Sequence, residues 1–354
     1  MARRTVSGII AACLLVVLVI VAAVLPVPYV TFSPGPTVDV LAEFDGEEIV
    51  DISGTKTYRD DGALRLTTVS VTGPTQRLSI FQALGAWWDR DRALYPRDAI
   101  YPDGQTDEEV RRQSSVQMVS SQDTAVAVAL RELGHDLEPT VEVFDVAGGG
   151  AADGVLQVRD QIVSVNGTAI TDTASVSKLV RAVGVGGKAE VVVRRKGKER
   201  TFTLSPRPSA DDPDVAVLGI VIGPGWDFPF DVNVRIDENI GGPSAGLIFA
   251  LAVYDTLTPG SLTGGKEVAG TGTVDEAGRV GAIGGIQQKI VASEAAGAEL
   301  FLVPADNCEA ALGAPVEEED IRLVRVETMK QAVQALETWA QDGDADLPSC
   351  EDAA

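Results

Sequence analysis

No charged residue interrupts the chain from Thr5 to Val38, and 6–25 is almost continuously apolar. About 20 such residues make a helix long enough to cross roughly 30 Å of hydrocarbon, so the pattern predicts a membrane anchor over 6–28. Prolines at 34 and 36 then stiffen the exit segment by fixing φ and removing backbone donors. Between 38 and 71, short β-prone runs such as Leu64-Arg65-Leu66-Thr67-Thr68-Val69-Ser70-Val71 alternate with turn residues and predict a small β-rich region. Helices are predicted over 78–88 and 106–133. The second opens with Thr106-Asp107-Glu108-Glu109, a cap whose acidic residues suit a helix N-terminus. Trp87 and Trp88, at the end of the first, read as core or interfacial residues rather than a ligand cage.

A period-two strand opens the next unit at 140–144. A turn of small residues follows, then Leu156-Gln157-Val158-Arg159-Asp160-Gln161-Ile162 and a Val165-Asn166-Gly167 hairpin. A helix over 173–183 and strands over 189–195 and 199–204, around Lys196-Gly197-Lys198, complete it. The polar, proline-rich stretch 206–213 marks a domain boundary. Beyond it, 215–222 and 230–236 are strand-like, an apolar helix follows Pro243, and 286–296 reads as a helix ended by Gly297. The division expected is 1–5, a cytoplasmic N-terminus; 6–28, the anchor; 29–133, a β/helical region; 134–207 and 208–345, two domains; and 346–354, a tail. The fold class is a multidomain mixed α/β (α+β) protein.

A length of 354 residues fits two or three domains. The net charge of −23 repels nucleic acid and anionic lipid surfaces, which argues against a nucleic-acid partner. Arg3 and Arg4 precede the apolar run and no basic cluster follows it, placing the N-terminus in the cytoplasm and the remainder outside. A cleaved signal peptide is the alternative, but the run exceeds the usual roughly 7–15 residues and Pro26 and Pro28 stand where a small-residue cleavage site belongs. Cys13 lies within the run. Cys308 and Cys350 fall in the part placed outside the cytoplasm, where a disulfide between them could persist. No cysteine pair has metal or redox spacing.

Candidate chemistry centres on two glycine-rich frames 45 positions apart: Gly241-Gly242-Pro243-Ser244-Ala245-Gly246 and Ile283-Gly284-Gly285-Ile286-Gln287-Gln288-Lys289. The chain's single histidine, His135, lies far upstream, so lysine is the better candidate for the base that a serine nucleophile needs. Pro243 suits the first position of a helix. At its N-terminus the backbone N–H groups of Ser244 and Ala245 could stabilise an oxyanion, although Ser244 could equally just cap the helix. Helical spacing puts Ile286, Lys289, Ile290 and Ser293 on one stripe, which buries the lysine and favours its neutral form. A lysine whose stem packs while its head reaches water is the plain alternative.

Two resemblances follow from these motifs. Residues 134–207 resemble a bacterial PDZ domain, which implies binding of an extended peptide at a sheet edge and places a carboxylate-binding loop near 134–139. Residues 215–338 resemble the proteolytic domain of the Lon family through Gly242-Pro243-Ser244-Ala245-Gly246, Thr271-Gly272-Thr273-Val274, Gly278-Arg279-Val280, Ile283-Gly284-Gly285 and Lys289. That resemblance implies Ser244 as nucleophile, Lys289 as general base and Thr271 as a residue that orients the lysine. Gly241 stands where many Lon proteases carry an acidic residue. The whole layout resembles the membrane-anchored, PDZ-containing Lon-like proteases of the YlbL type.

The expected function is therefore that of an extracytoplasmic serine endopeptidase acting on protein or peptide substrates, with no cofactor. Lon resemblance also implies a homo-oligomer. ATP is not expected as a partner, because the sequence contains no GxxxxGK[ST] loop. The reading from another class is a catalytically idle, membrane-tethered PDZ scaffold.

Overall fold

The computed structural model describes residues 2–44, 46–210, 212–237, 239–317 and 320–353; Asp211, within the expected boundary 206–213, lies outside them. Helix α1 (Ala2–Val24) contains the apolar stretch Thr5–Val24, with mean hydropathy 3.0 and none of it buried inside the protein. Strands β1 (Tyr29–Asp39), β2 (Val50–Ser53) and β3 (Ala63–Val71) follow, then helix α2 (Ile80–Trp88), strand β4 (Ala93–Pro96) and the long helix α3 (Asp107–Glu132). Both α2 and α3 start at capping boxes, Ser79 with Gln82 and Thr106 with Glu109. Each box satisfies two otherwise orphaned N–H groups and fixes where the helix begins. Trp87 and Trp88 are not core residues: α2 buries Ala83 and Ala86 and turns both indoles outward.

The central unit comprises β5 (Pro139–Val146), β6 (Gln161–Val165), helix α4 (Thr173–Val183), β7 (Ala189–Arg195), β8 (Lys198–Leu204) and β9 (Ile220–Trp226). Its antiparallel sheet has the order β8-β7-β6-β5-β9. Alternate strand residues Val141, Val143, Val191 and Val193 pack with Val176 and Val180 of α4 in a core of their own. The expected boundary at 207 falls inside this unit. The apolar stretch after it, assigned by sequence to the next domain, runs antiparallel to β5 from Ile220 opposite Val146 to Trp226 opposite Pro139. Leu218, Ile220 and Ile222 join the same core, so burying them favours this edge over a separate domain. The loop near 134–139 leads into β5, an interior strand flanked by β6 and β9. A strand paired on both sides cannot receive a peptide, and the open edge in this half of the sheet belongs to β9.

The remaining elements are β10 (Asp231–Val234), α5 (Gly246–Leu257), β11 (Glu267–Gly270), α6 (Ile286–Ala295), β12 (Leu300–Pro304), β13 (Arg322–Val326) and α7 (Met329–Gln341). They share a sheet with the N-terminal strands in the order β13-β12-β11-β3-β1-β4. Pairing is parallel from β13 to β3 and antiparallel from β3 through β1 to β4. The region 29–133 is thus not a unit beside 208–345: β3 lies between β1 and β11, and β2 pairs with β10. Leu64 and Leu66 of β3 are fully buried in one core with Leu247 and Leu251 of α5 and Leu302 of β12. Helix α3 packs along α5, so the central unit is an insertion between α3 and β10. Residues 346–354, expected as a tail, are held down at Leu347 and Cys350, both buried, and by the Cys308–Cys350 disulfide, with Cα atoms 4.9 Å apart.

Candidate active site

Ser244 lies in a turn that leads into α5. Gly246 N–H reaches Pro243 O at 3.4 Å, and the helix starts at Gly246 with Ala245 in the cap position. Pro243 therefore precedes the helix rather than opening it. The Ser244 side chain does not cap α5; its partner is a lysine. The turn is held from two sides. Helix α3 contributes Ser121 Oγ–H to Pro243 O at 3.1 Å and Ser114 O to Gly242 N–H at 3.0 Å. From β11 onward, Gly272 N–H and Thr271 Oγ1–H both donate to Ser244 O, at 2.8 and 2.9 Å. The N–H groups of Ser244 and Ala245 donate to no acceptor among the described residues.

Lys289 comes from α6, whose stripe Ile286, Lys289, Ile290 and Ser293 is buried throughout. Gly285, just before the helix, has φ +70°, and a Cβ there would stand 2.7 Å from Val69 Cγ1 of β3. Only glycine meets both demands, so the helix can start tight against the sheet. Two residues earlier, Ile283 is clamped by Asn307, which accepts its N–H at 2.8 Å and donates to its carbonyl at 3.0 Å.

The side chain of Lys289 is 1% exposed, and Nζ sits 2.8 Å from both Ser244 Oγ and Thr271 Oγ1. Among the described residues it forms no ion pair with a carboxylate. Burial without a counter-charge disfavours the ammonium and lowers its pKa to about 7. Because the Thr271 hydroxyl donates to Ser244 O, its lone pairs face the amine. A neutral amine can donate one N–H to Thr271 and turn its own lone pair toward the Ser244 hydroxyl.

Sequence motifs gave no sign of Ser114, Ser121 or Asn307, which act through the backbone and lie far away in the chain. One of them accounts for a departure noted above. A Cβ at Gly241 would meet Ser114 Cβ at 2.7 Å, so the close passage of α3 leaves no room for an acidic side chain there. Beside the turn opens a cleft of about 370 Å³ between α3, β9 and the strand pair Thr273–Val274 and Val280–Gly281. Its walls include Val116, Phe144, Ile222, Pro243 and Val274, so the open edge of β9 borders the same cleft as the Ser244 turn. His135 is exposed and packs edge-on against Phe230, away from this chemistry.

The family model of the Lon protease (S16) C-terminal proteolytic domain matches residues 237–338, which hold Ser244, Thr271 and Lys289. The chain carries a Lon-type proteolytic domain. A PDZ domain model matches 115–205, so the inserted unit is the PDZ domain of a PDZ-containing, Lon-like layout. Similar proteins include a Lon protease of Clostridioides difficile, 32% identical over 189 residues, covering 50% of this chain and 23% of that protein. A Lon protease of Syntrophomonas wolfei is 28% identical over 235 residues, covering 63% and 26%. The chain thus spans about a quarter of the length of these curated relatives. Among solved structures, the PDZ domain of an SdrC-like protein from Listeria innocua matches at 17% identity and TM-score 0.22, covering 23% of this chain and 92% of that one.

Proposed function

We propose that this chain is a membrane-anchored, extracytoplasmic serine endopeptidase working through a Ser244/Lys289 dyad. One observation carries the reading: a buried, unpaired lysine amine within 2.8 Å of a serine hydroxyl at the head of a helix. With its pKa near 7 the amine is about half free base at neutral pH and largely free base above it. Lys289 Nζ takes the Ser244 proton as Oγ attacks a peptide carbonyl, and the resulting ammonium returns that proton to the departing amine. Water then hydrolyses the acyl-serine by the same base in a second round. The free N–H groups of Ser244 and Ala245 receive the oxyanion. Thr271 is a positioning residue that holds the amine while its hydroxyl is anchored on Ser244 O.

Helix α1 serves as the anchor, and Arg3 and Arg4 set the catalytic domain outside the cytoplasm. The Cys308–Cys350 disulfide supports that side, since such bonds persist where the surroundings are oxidising. The PDZ unit supplies extended peptide segments by strand addition on the open edge of β9, which leads to the cleft beside Ser244. ATP has no part in the reaction, and the subunits form a homo-oligomer.

Cleavage of an unfolded protein by the purified full-length chain in detergent tests the assignment. Ser244→Ala is expected to abolish it with circular dichroism unchanged. Equal cleavage by that variant would remove the dyad, and no cleavage by the native chain would leave it a tethered PDZ scaffold.

A further inference from the structure

Helix α2 presents an apolar face that none of the described residues covers. Its sequence, Ile-Phe-Gln-Ala-Leu-Gly-Ala-Trp-Trp, contains no charge. Ile80, Phe81, Leu84, Trp87 and Trp88 all point outward, with the two indoles 71% and 83% exposed. At 100° per residue these five side chains fall within an arc of about 120°, opposite the buried Ala83 and Ala86. A continuous outward stripe of this kind marks a contact surface, whereas scattered apolar residues would not.

Its position in the fold points to the occupant. Beyond the end of α1, Pro26 and Val27 pair antiparallel with Ser79 and Leu78, and α2 starts at the next residue, Ile80. Helices α1 and α2 touch directly. The exposed Leu25 lies at the same exit. The apolar surface of the spanning helix and the outward face of α2 therefore emerge at one exit, with Arg77, Ser79 and Gln82 lining the notch between them. Indole rings favour the headgroup level of a bilayer, where one edge is wet and the other apolar. The net charge of −23 opposes contact with anionic lipid, so the uncharged stripe is suited to zwitterionic headgroups.

We propose that α2 lies in the lipid surface beside α1, with Trp87 and Trp88 inserted at the headgroup level, so that the protease domain is fixed against the membrane at two points. This deepens the anchored reading and rests on α1 spanning the bilayer. A helix held this way needs no basic face of its own, since its opposite side, at Ala83 and Ala86, is already packed on the protein.

The chain has four tryptophans, and Trp226 and Trp339 are buried at 2% and 4% exposure, leaving Trp87 and Trp88 as the reporters. The full-length chain is reconstituted into phosphatidylcholine vesicles with brominated or plain acyl chains. The exposed-tryptophan emission is expected to fall roughly twofold with bromine, as for indoles at the interface. The pair Trp87→Phe and Trp88→Phe should remove that component. Unquenched emission overturns the proposal, as does oxidative cross-linking of Trp87→Cys chains to one another, which would seat a second copy on the stripe. Vesicle flotation reports on α1 separately: a chain that floats with unquenched tryptophans keeps its anchor and refutes only the role of α2.

Discussion

Lys289 Nζ stands 2.8 Å from Ser244 Oγ, and the lysine reaches that position with its side chain enclosed and unpaired. In the proposed dyad its protonation state controls the reaction. Protonated, it has no lone pair to take the serine proton. With a pKa of about 7, kcat/KM should rise with pH and reach half its plateau near pH 7. Lys289→Arg keeps its charge across this range and should be inactive throughout. An initial-rate profile on a fluorogenic peptide from pH 5.5 to 9 checks both; a flat profile would show that another group is the base.

The same burial makes a stability prediction. The folded pKa of Lys289 is about 7, against 10.5 for an ordinary lysine. Between these pH values the unfolded chain binds more protons, so stability rises with pH across that window and the penalty is full below it. Lys289→Met removes the ionisable group. At pH 6 this variant should be more stable than the native chain by about 3–5 kcal/mol, less whatever its lost hydrogen bonds contributed. At pH 10 the gap should be small. Urea melts at the two pH values measure it.

Thr271 is expected to act on kcat rather than on binding. Its hydroxyl accepts from Lys289 and donates to Ser244 O, tying the base to the backbone of the nucleophile. Thr271→Val keeps the shape and removes both bonds, and kcat should fall about 10–100-fold with KM little changed. Thr271→Ser should recover most of the loss. A uniform fall in thermal stability with kcat unaffected would assign Thr271 to the core alone.

The elements that sequence located most closely are those whose signal is local. The Thr106 cap, the α4 helix and the β7 strand are set by residues within a few positions of one another. What it missed is long-range. Nothing near Leu64 indicates that β3 pairs with Glu267–Gly270, some 200 residues away, or that Ile220–Trp226 completes the sheet of a unit whose sequence pattern ends earlier. The stripe around Lys289 was legible because helical periodicity alone buries it. The supporting Ser114, Ser121 and Asn307 were not, because each acts on a backbone group that only the fold brings near.

Glu142 and Asp123 form a second buried titrating centre, where the PDZ sheet meets α3. Arg159 lies 3.3 Å from Asp123 and donates to Gln122, and Asp160 is also near. Burial, then the Asp123 charge, raises Glu142 to about 8; burial raises Asp123 too, against the pull of Arg159. A carboxyl with a folded pKa above its unfolded value contributes stability that is full below about 4.5 and lost as pH rises through about 8. Glu142→Gln should flatten this dependence, leaving the variant more stable than the native chain at pH 9 and close to it at pH 5. Thermal melts at those values, with Lys289→Met as the common background to remove the opposing slope, decide it.

The Cys308–Cys350 bridge should tune the site as well as the stability. It closes a separation of 42 residues, for which loss of unfolded-chain entropy predicts about 4 kcal/mol. Asn307, next to Cys308, clamps Ile283 ahead of the helix that carries Lys289. Loosening one end of the bridge therefore reaches the base through two backbone hydrogen bonds. Replacing both cysteines with alanine should lower stability by about 2–4 kcal/mol. If Asn307 transmits the bridge, activity at a temperature where the variant stays folded should also fall, and Asn307→Ala should reproduce that fall without the large stability loss. Full activity in the folded double-cysteine variant would confine the bridge to stability.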